Sequence, residues 1–206
     1  MARSAEPFRT TDCRSFEPPL TIGVVADTHV YAWGVRRLSP EIGELFARFE
    51  ASLILHAGDV ATASVLQGLG AVAPVVAVVG NNDDAELRDL LPETAEFTVG
   101  RFAFALLHGH TGRTARFEAK RRFAGRVDCV VYGHSHIPLI ELHERTILFN
   151  PGSATDRRWQ PHFGVGLIHV TAEKIEPELV LYDDPRHLRN VGRQSSVHGR
   201  EGITRG

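Results

Sequence analysis

The sequence predicts an α/β fold with a parallel core and later strands added around it. Three observations carry this. Up to Leu91, short β-branched apolar runs alternate with helical periodicity, the βαβ pattern of a parallel sheet. From Phe97 onward, strand-like runs follow one another closely, as hairpins do. Five of the apolar runs also end alike, in side chains that can bind metal.

The bulk properties narrow the classes. The chain has 206 residues, 43% of them hydrophobic, which suits one domain with a real core. A formal net charge of -2 provides no global basic field for nucleic acid or an anionic membrane. The two cysteines, Cys13 and Cys129, do not read as a structural disulfide, which fits a reducing compartment. No apolar run approaches the roughly 20 residues needed to span a bilayer. The opening residues lack the apolar core of a signal peptide. The expectation is a cytoplasmic protein without membrane attachment.

In order, residues 1–19 are polar, proline-containing and aperiodic, and read as a flexible tail. A strand over 21–26 leads to Asp27-Thr28-His29. Ser39-Pro40-Glu41 is a helix start, with Ile42, Leu45, Phe46 and Phe49 as the buried face. A strand over 53–55 leads to His56-Ala57-Gly58-Asp59. After a short helix over 62–69, a strand over 75–79 ends in Gly80-Asn81-Asn82-Asp83, and a helix carrying Leu87, Leu90 and Leu91 stops before Pro92. Strands over 97–99 and 102–107 pair around Gly100-Arg101, the second ending in His108-Gly109-His110. A helix over 113–123 places Ala115, Ala119 and Phe123 on one stripe. The run Cys129-Val130-Val131-Tyr132 then breaks at Gly133 and delivers His134-Ser135-His136. Strands over 139–143 and 146–149, the loop Asn150-Pro151-Gly152-Ser153, and strands near 164–170 and 177–181 follow. Residues 183–206 are polar and arginine-rich and read as a second tail, which bounds the domain at 20–182.

In open α/β sheets, ligands collect at the carboxyl ends of the strands. Asp27, His29, Asp59, Asn81, His108, His134 and His136 all fall there, on five separate strand ends. Taken singly, each has a bland reading as a turn residue or helix cap. Coincidence explains their joint placement poorly. Carboxylate, imidazole and amide oxygen together suit Mn first, with Fe, Zn or Ni as alternatives. Two such ions can clamp an in-line displacement at phosphorus and acidify a bound water. No P-loop, nucleophile elbow or thiolate cluster competes with this chemistry.

The ordered set Asp27-x-His29, Gly58-Asp59, Gly80-Asn81-Asn82-Asp83, His108-Gly109-His110 and Gly133-His134-Ser135-His136 resembles the calcineurin-like metallophosphoesterases. Its small single-domain prokaryotic phosphodiesterases are the nearest branch, and Asn150-Pro151-Gly152-Ser153 also fits. The resemblance implies a four-layer α-β-β-α sandwich of two mixed sheets with metals at the rim. By that resemblance Asp27, His29 and His136 hold one divalent ion, Asn81, His108 and His134 hold a second, and Asp59 bridges both. The implied activity is hydrolysis of a small phosphodiester or nucleotide through a metal-bound hydroxide. The same fold also serves as a protein-binding scaffold with a decayed metal site, but here all seven positions are filled. The absence of a basic groove argues against extended nucleic acid. A homo-oligomer is left open.

In the family the asparagine after the glycine is the ligand, which assigns Asn81. Only one of two consecutive side chains is expected to point into the cleft. Many relatives carry a histidine where this chain has Asn82, so another group must protonate the leaving group. His110 is the catalytic candidate by position, one step beyond His108. Asp83 with Glu86 reads first as a helix-capping box, with Asp83 orienting a site residue as the alternative. His56 reads as a buried partner instead of a ligand. The cluster Arg113, Arg116, Lys120, Arg121 and Arg122 reads as a solvated helix face, with attraction of a phosphorylated ligand as the alternative.

Overall fold

The computed structural model describes residues 15–192 and the backbone of 203–204. In chain order the strands are β1 (Ser15–Phe16), β2 (Leu20–Val25), β3 (Ala51–His56), β4 (Val75–Ala77), β5 (Thr94–Val99), β6 (Phe102–Leu107), β7 (Cys129–Tyr132), β8 (Leu139–His143), β9 (Thr146–Asn150), β10 (Phe163–Val170), β11 (Lys174–Tyr182) and β12 (Ile203–Thr204). The helices are α1 (Pro40–Arg48), α2 (Ala63–Gly70), α3 (Ala85–Leu90) and α4 (Ala115–Phe123), followed by a 3₁₀ helix over Pro185–Asn190.

The strands form two six-stranded sheets, ordered β1-β5-β6-β7-β9-β8 and β12-β11-β10-β2-β3-β4. Each is mixed. In one, β2, β3 and β4 run parallel; in the other, β6, β7 and β9 do. Antiparallel strands flank both parallel trios. The inner faces of the sheets meet in one apolar core that includes Ile22, Val24, Leu53 and Leu55 from one side and Phe104, Leu106, Val131 and Phe149 from the other. The outer face of the β2–β4 sheet packs on Ile42, Leu45 and Phe46 of α1 and Val65, Leu66 and Leu69 of α2. The outer face of the other sheet packs on Ala115, Ala119 and Phe123, the predicted stripe of α4. The layers are therefore helix, sheet, sheet, helix, as the resemblance implied. Both parallel trios end at the same rim, so their carboxyl ends face each other across it.

Two differences from the sequence reading concern the edges of the domain. Before Thr21, β1 pairs with β5 in parallel, Phe16 opposite Val99. After Tyr182, the stretch read as a tail is held onto the domain as far as it is described. Asp184 caps the 3₁₀ helix through Arg186 N, Leu188 is fully buried, and Arg189 reaches Glu41 at 3.0 Å. Arg48 Nη2 donates to Leu188 O at 2.5 Å. The polar composition concealed this because one leucine in a charged segment supplies no periodicity. Residues 1–14, 193–202 and 205–206 lie outside the described residues.

Leu188→Ala should destabilise the protein by about 2–4 kcal/mol, as a fully buried leucine does when its site cannot collapse. Urea unfolding with an unchanged m-value checks this. A change near zero would mean that this segment contributes nothing to the fold.

Candidate metal centre

The centre is built where the strands of both parallel trios give out. Past β2 and β3 the two chains stay paired: Asp27 N donates to Gly58 O at 3.1 Å and His29 N to Asp59 O at 2.9 Å. The backbone there is unusual. Asp27, His29, Asp59, His134 and His136 all have φ between 45° and 65°, the left-handed region that side chains with a Cβ rarely occupy. Such turns reverse the direction of each side chain and aim it over the rim.

Two glycines permit the close approach. A Cβ on Gly80 would lie 2.2 Å from the backbone nitrogen of Asp59, and one on Gly58, at φ 83°, would lie 2.7 Å from His108 Nδ1. Neither site has room for a methyl group. This gives the Gly-Asp and Gly-Asn steps a steric reason.

The predicted residues come together as two triads. Asp27, His29 and His136 offer ligand atoms all within 4.8 Å of one another, and Asp59, His108 and His134 do the same. Asp59 lies between them, with Oδ2 3.3 Å from His108 Nε2 and 3.7 Å from His29 Nε2. Asn81 Oδ1 lies 3.2 Å from His108 Nε2 and so joins the second triad. Asp27, Asp59, His29, His108 and His136 are all buried.

The tautomers matter. His108 Nδ1 donates to Ala57 O at 2.8 Å, and His136 Nδ1 donates to Asp156 O. Nε2 is therefore the atom that each ring turns toward the centre. His108 Nε2 faces Asp59 Oδ2 and Asn81 Oδ1, and His136 Nε2 faces His29 Nε2 at 3.2 Å. Nitrogen and oxygen atoms converging there, two of the rings fixed by a carbonyl behind them, fit a divalent cation in each triad.

Taken by themselves, the side chains settle their charge with protons. Burial, reinforced by Asp59, pushes Asp27 up to about 8 against the opposing His108 charge. Burial would also raise Asp59, but the hydrogen bond and charge of His108, with two hydrogen bonds from Asn82, outweigh it and lower its pKa. Burial lowers His136 to about 4 and His56 to about 3. His108 goes the other way: against its burial, the hydrogen bond and charge of Asp59, with the charge of Asp27, raise its pKa, so a metal there would displace a proton.

The chain matches the calcineurin-like phosphoesterase superfamily domain over residues 20–173. It belongs to that superfamily. It is an enzyme family of phosphoester hydrolases, and two relatives place the chain among its small prokaryotic members. The chain is 32% identical over 165 residues to a probable metallophosphoesterase of Methanothermobacter thermautotrophicus, covering 78% of this chain and 92% of that protein. It is 31% identical over 131 residues to Phosphodiesterase YfcE of Escherichia coli strain K12, covering 54% and 69%. The structure of Vacuolar Protein Sorting 29 from Cryptosporidium parvum superposes with a TM-score of 0.71 at 19% identity, covering 90% and 98%, and shares the fold alone.

Several sequence readings change in this phosphoesterase frame. The capping box at Asp83 is not formed. Asp84 caps α3 through Leu87 N at 2.9 Å, while the buried Asp83 accepts from Ala61 N and Gly80 N at 2.7 Å each. Asp83 thus ties the loop after β3 to the loop after β4. Both asparagines also reach the cluster, because the loop turns between them. Asn82 Nδ2 and N each donate to Asp59 at 2.7 Å, so Asn82 approaches with its amide nitrogen and Asn81 with its oxygen. His56 is a buried partner as expected, 3.1 Å from Thr28 Oγ1. His110 is half-buried, its ring centroid 5.4 Å from that of His108, and it lines a cleft of about 410 Å³ with Asn81, Arg88 and Glu93. Arg116 and Lys120 are not simply solvated, for both pair with Glu141, at 2.6 and 2.9 Å.

Other supports come from Arg88, which carried no sequence signal, and from the 150–153 loop, whose fit to the family gave it no structural role. Arg88 holds the Asn81 and Asp83 carbonyls at 2.8 and 2.9 Å. The 150–153 loop braces the rim: Ser153 Oγ donates to Asp27 O at 2.6 Å, and Asn150 Nδ2 donates to Gly133 O at 2.9 Å. His134 N in turn donates to both carboxylate oxygens of Asp27, at 3.1 and 3.0 Å.

Asp83→Ala should cost about 2–4 kcal/mol, because it strands two buried backbone donors, and should reduce bound metal. Asp84→Ala should cost only about 1 kcal/mol, the worth of an N-cap, with metal content unchanged. Urea unfolding and elemental analysis of both variants check the reassignment.

Proposed function

We propose that the protein is a dinuclear metal-dependent phosphodiesterase of the cytoplasm, acting on a small phosphodiester or nucleotide. The observation that carries this is the position of Asp59. One carboxylate oxygen lies within 4 Å of an imidazole nitrogen from each triad, as a bridge between two ions requires. In this reading Asp27, His29 and His136 hold one ion, Asn81, His108 and His134 the other, and Asp59 both. Such ions supply Lewis acidity toward a phosphoryl oxygen and lower the pKa of a bound water. Mn is the first expectation, with Fe, Zn or Ni as alternatives. The protein's own contribution is orientation. Ala57 O and Asp156 O fix two ring tautomers, and Asn82 withdraws charge from Asp59 without occupying a ligand position. The relatives named for phosphodiesterase activity support the diester reading. Among the described residues, no helix is long and apolar enough to cross a membrane.

A protein-binding scaffold on the same fold has one supporting observation, the resemblance to Vacuolar Protein Sorting 29. Seven filled and converging ligand positions favour catalysis. Metal analysis joined to hydrolysis of model diesters separates the two. Asp59→Asn should deplete bound metal and remove most activity. Asn81→Ala should lower metal content toward one ion per chain, whereas Asn82→Ala should keep both. An Asp59 variant with full metal content and near-normal rate would remove the dinuclear reading, and metal loss only at Asn82 would reverse the asparagine assignment.

His110 is proposed as the group that assists the leaving oxygen. It lines the cleft beside Asn81, takes no part in either triad, and its buried Nδ1 has no protein partner. Positioned acids contribute on the order of 10²–10⁴-fold. His110→Ala should therefore retain both metals and lose rate chiefly on esters with poor leaving groups, sparing nitrophenyl esters. A plot of log rate against leaving-group pKa should steepen. An unchanged slope with a uniform loss would make His110 a positioning residue.

A further inference from the structure

The loop after β2 carries a feature that the metal centre does not use. Residues 29, 31 and 33 lie along a loop that turns at both ends, and their rings form a stack. His136 and His29 lie with centroids 5.1 Å apart at 24°, His29 and Tyr31 at 6.3 Å and 28°, and Tyr31 and Trp33 at 4.8 Å and 15°. The series begins at two candidate ligands of one ion and ends at the surface. Trp33 is 84% exposed although one indole face lies on Tyr31, so its remaining surface is open to solvent. Gly34 N closes the turn onto Tyr31 O at 3.1 Å, which fixes the two rings relative to each other.

Cations border the same mouth. Arg36 follows Trp33 closely and reaches Asp156 at 3.4 Å, and the carbonyl of Asp156 holds His136. The positive charges of Arg36 and Arg158 are both felt at His29. A single exposed tryptophan needs no explanation. A tryptophan pre-stacked on a tyrosine and continuous with a metal-binding imidazole pair is a rigid aromatic step beside the place where a phosphate would sit. Stacking on such a surface tolerates any base because every base has a π-face.

We propose that Trp33, supported by Tyr31, is a base-stacking subsite, and that the substrate is a phosphodiester carrying a nucleobase on one side. Binding energy gained at Trp33, away from the reacting phosphorus, positions the ester over the metal centre. The subsite rests on the phosphodiesterase reading for its phosphate anchor, and two separate measurements keep the claims apart.

The first is binding. Trp33 and Trp159 are the two tryptophans of the chain, so Trp159→Phe makes Trp33 the sole indole reporter. In the Mn-loaded Trp159→Phe protein, AMP should quench Trp33 fluorescence saturably and ribose 5-phosphate should not. Equal responses to both, or none to AMP, overturn the subsite. The second is selectivity, the ratio of kcat/KM for thymidine 5′-(4-nitrophenyl phosphate) to that for methyl 4-nitrophenyl phosphate. The leaving group is the same in both, so the ratio reads the base. Trp33→Ala should lower the ratio on the order of tenfold through KM, equivalent to about 1.4 kcal/mol. Trp33→Phe should restore most of it. An unchanged ratio overturns the subsite. If neither ester is hydrolysed while AMP still quenches Trp33, the phosphodiesterase reading fails and the nucleotide subsite stands.

Discussion

The centre depends on a backbone that its own sequence resists. Five of the seven candidate ligands sit in left-handed turns without being glycine. Conformations of this kind cost on the order of 1–3 kcal/mol each and persist only when the surroundings over-determine them. Here the surroundings do. The loops after β2 and β3 continue the parallel hydrogen-bond ladder beyond the strands, so neither can relax alone. Ser153 holds the Asp27 carbonyl, and Asn150 holds that of Gly133. The strain is thus spread over elements that a two-sheet core already fixes.

That frame explains why so many supporting residues are polar yet not ligands. Asp83, Asn150 and Ser153 are all buried, and they spend their hydrogen bonds chiefly on loop backbone. A buried carboxylate such as Asp83 is costly unless its oxygens are satisfied. Its two backbone donors compensate, and in doing so they set the distance between Asp59 and Asn81. The arrangement resembles a keystone more than a cap. Removing it loosens two ligand loops at once, which removing a surface cap could not do.

Much of this was legible in the sequence, and the reasons differ by element. The strands β2, β3, β6 and β7 announce themselves because both faces are buried, which leaves short apolar runs with abrupt polar ends. The ligands were legible for the same reason: a strand end is where polarity returns. Other features leave no such trace. Asp83 and Asp84 are adjacent acids before a helix, and periodicity cannot decide which one caps it. The expectation that one asparagine of a pair faces the cleft assumed extended backbone, but the loop turns between Asn81 and Asn82. Leu188 was invisible because a single anchoring leucine carries no pattern. The stack from His136 to Trp33 joins a distant histidine to three rings of one loop, and only the fold brings them together.

The layout also bears on the choice between enzyme and scaffold. A protein-binding scaffold needs the sandwich, its helices and an exposed face. It does not need left-handed backbone at buried carboxylates, nor imidazoles whose Nδ1 is fixed on a carbonyl so that Nε2 atoms converge. Those features lower stability without a cation, since burial alone raises Asp27 and lowers His136 away from their charged forms. Bound cations reverse that sign, because every converging acceptor then has a partner. The centre therefore fits a holder of metal better than a bare scaffold, and a cleft lined by Asn81 and His110 opens beside it.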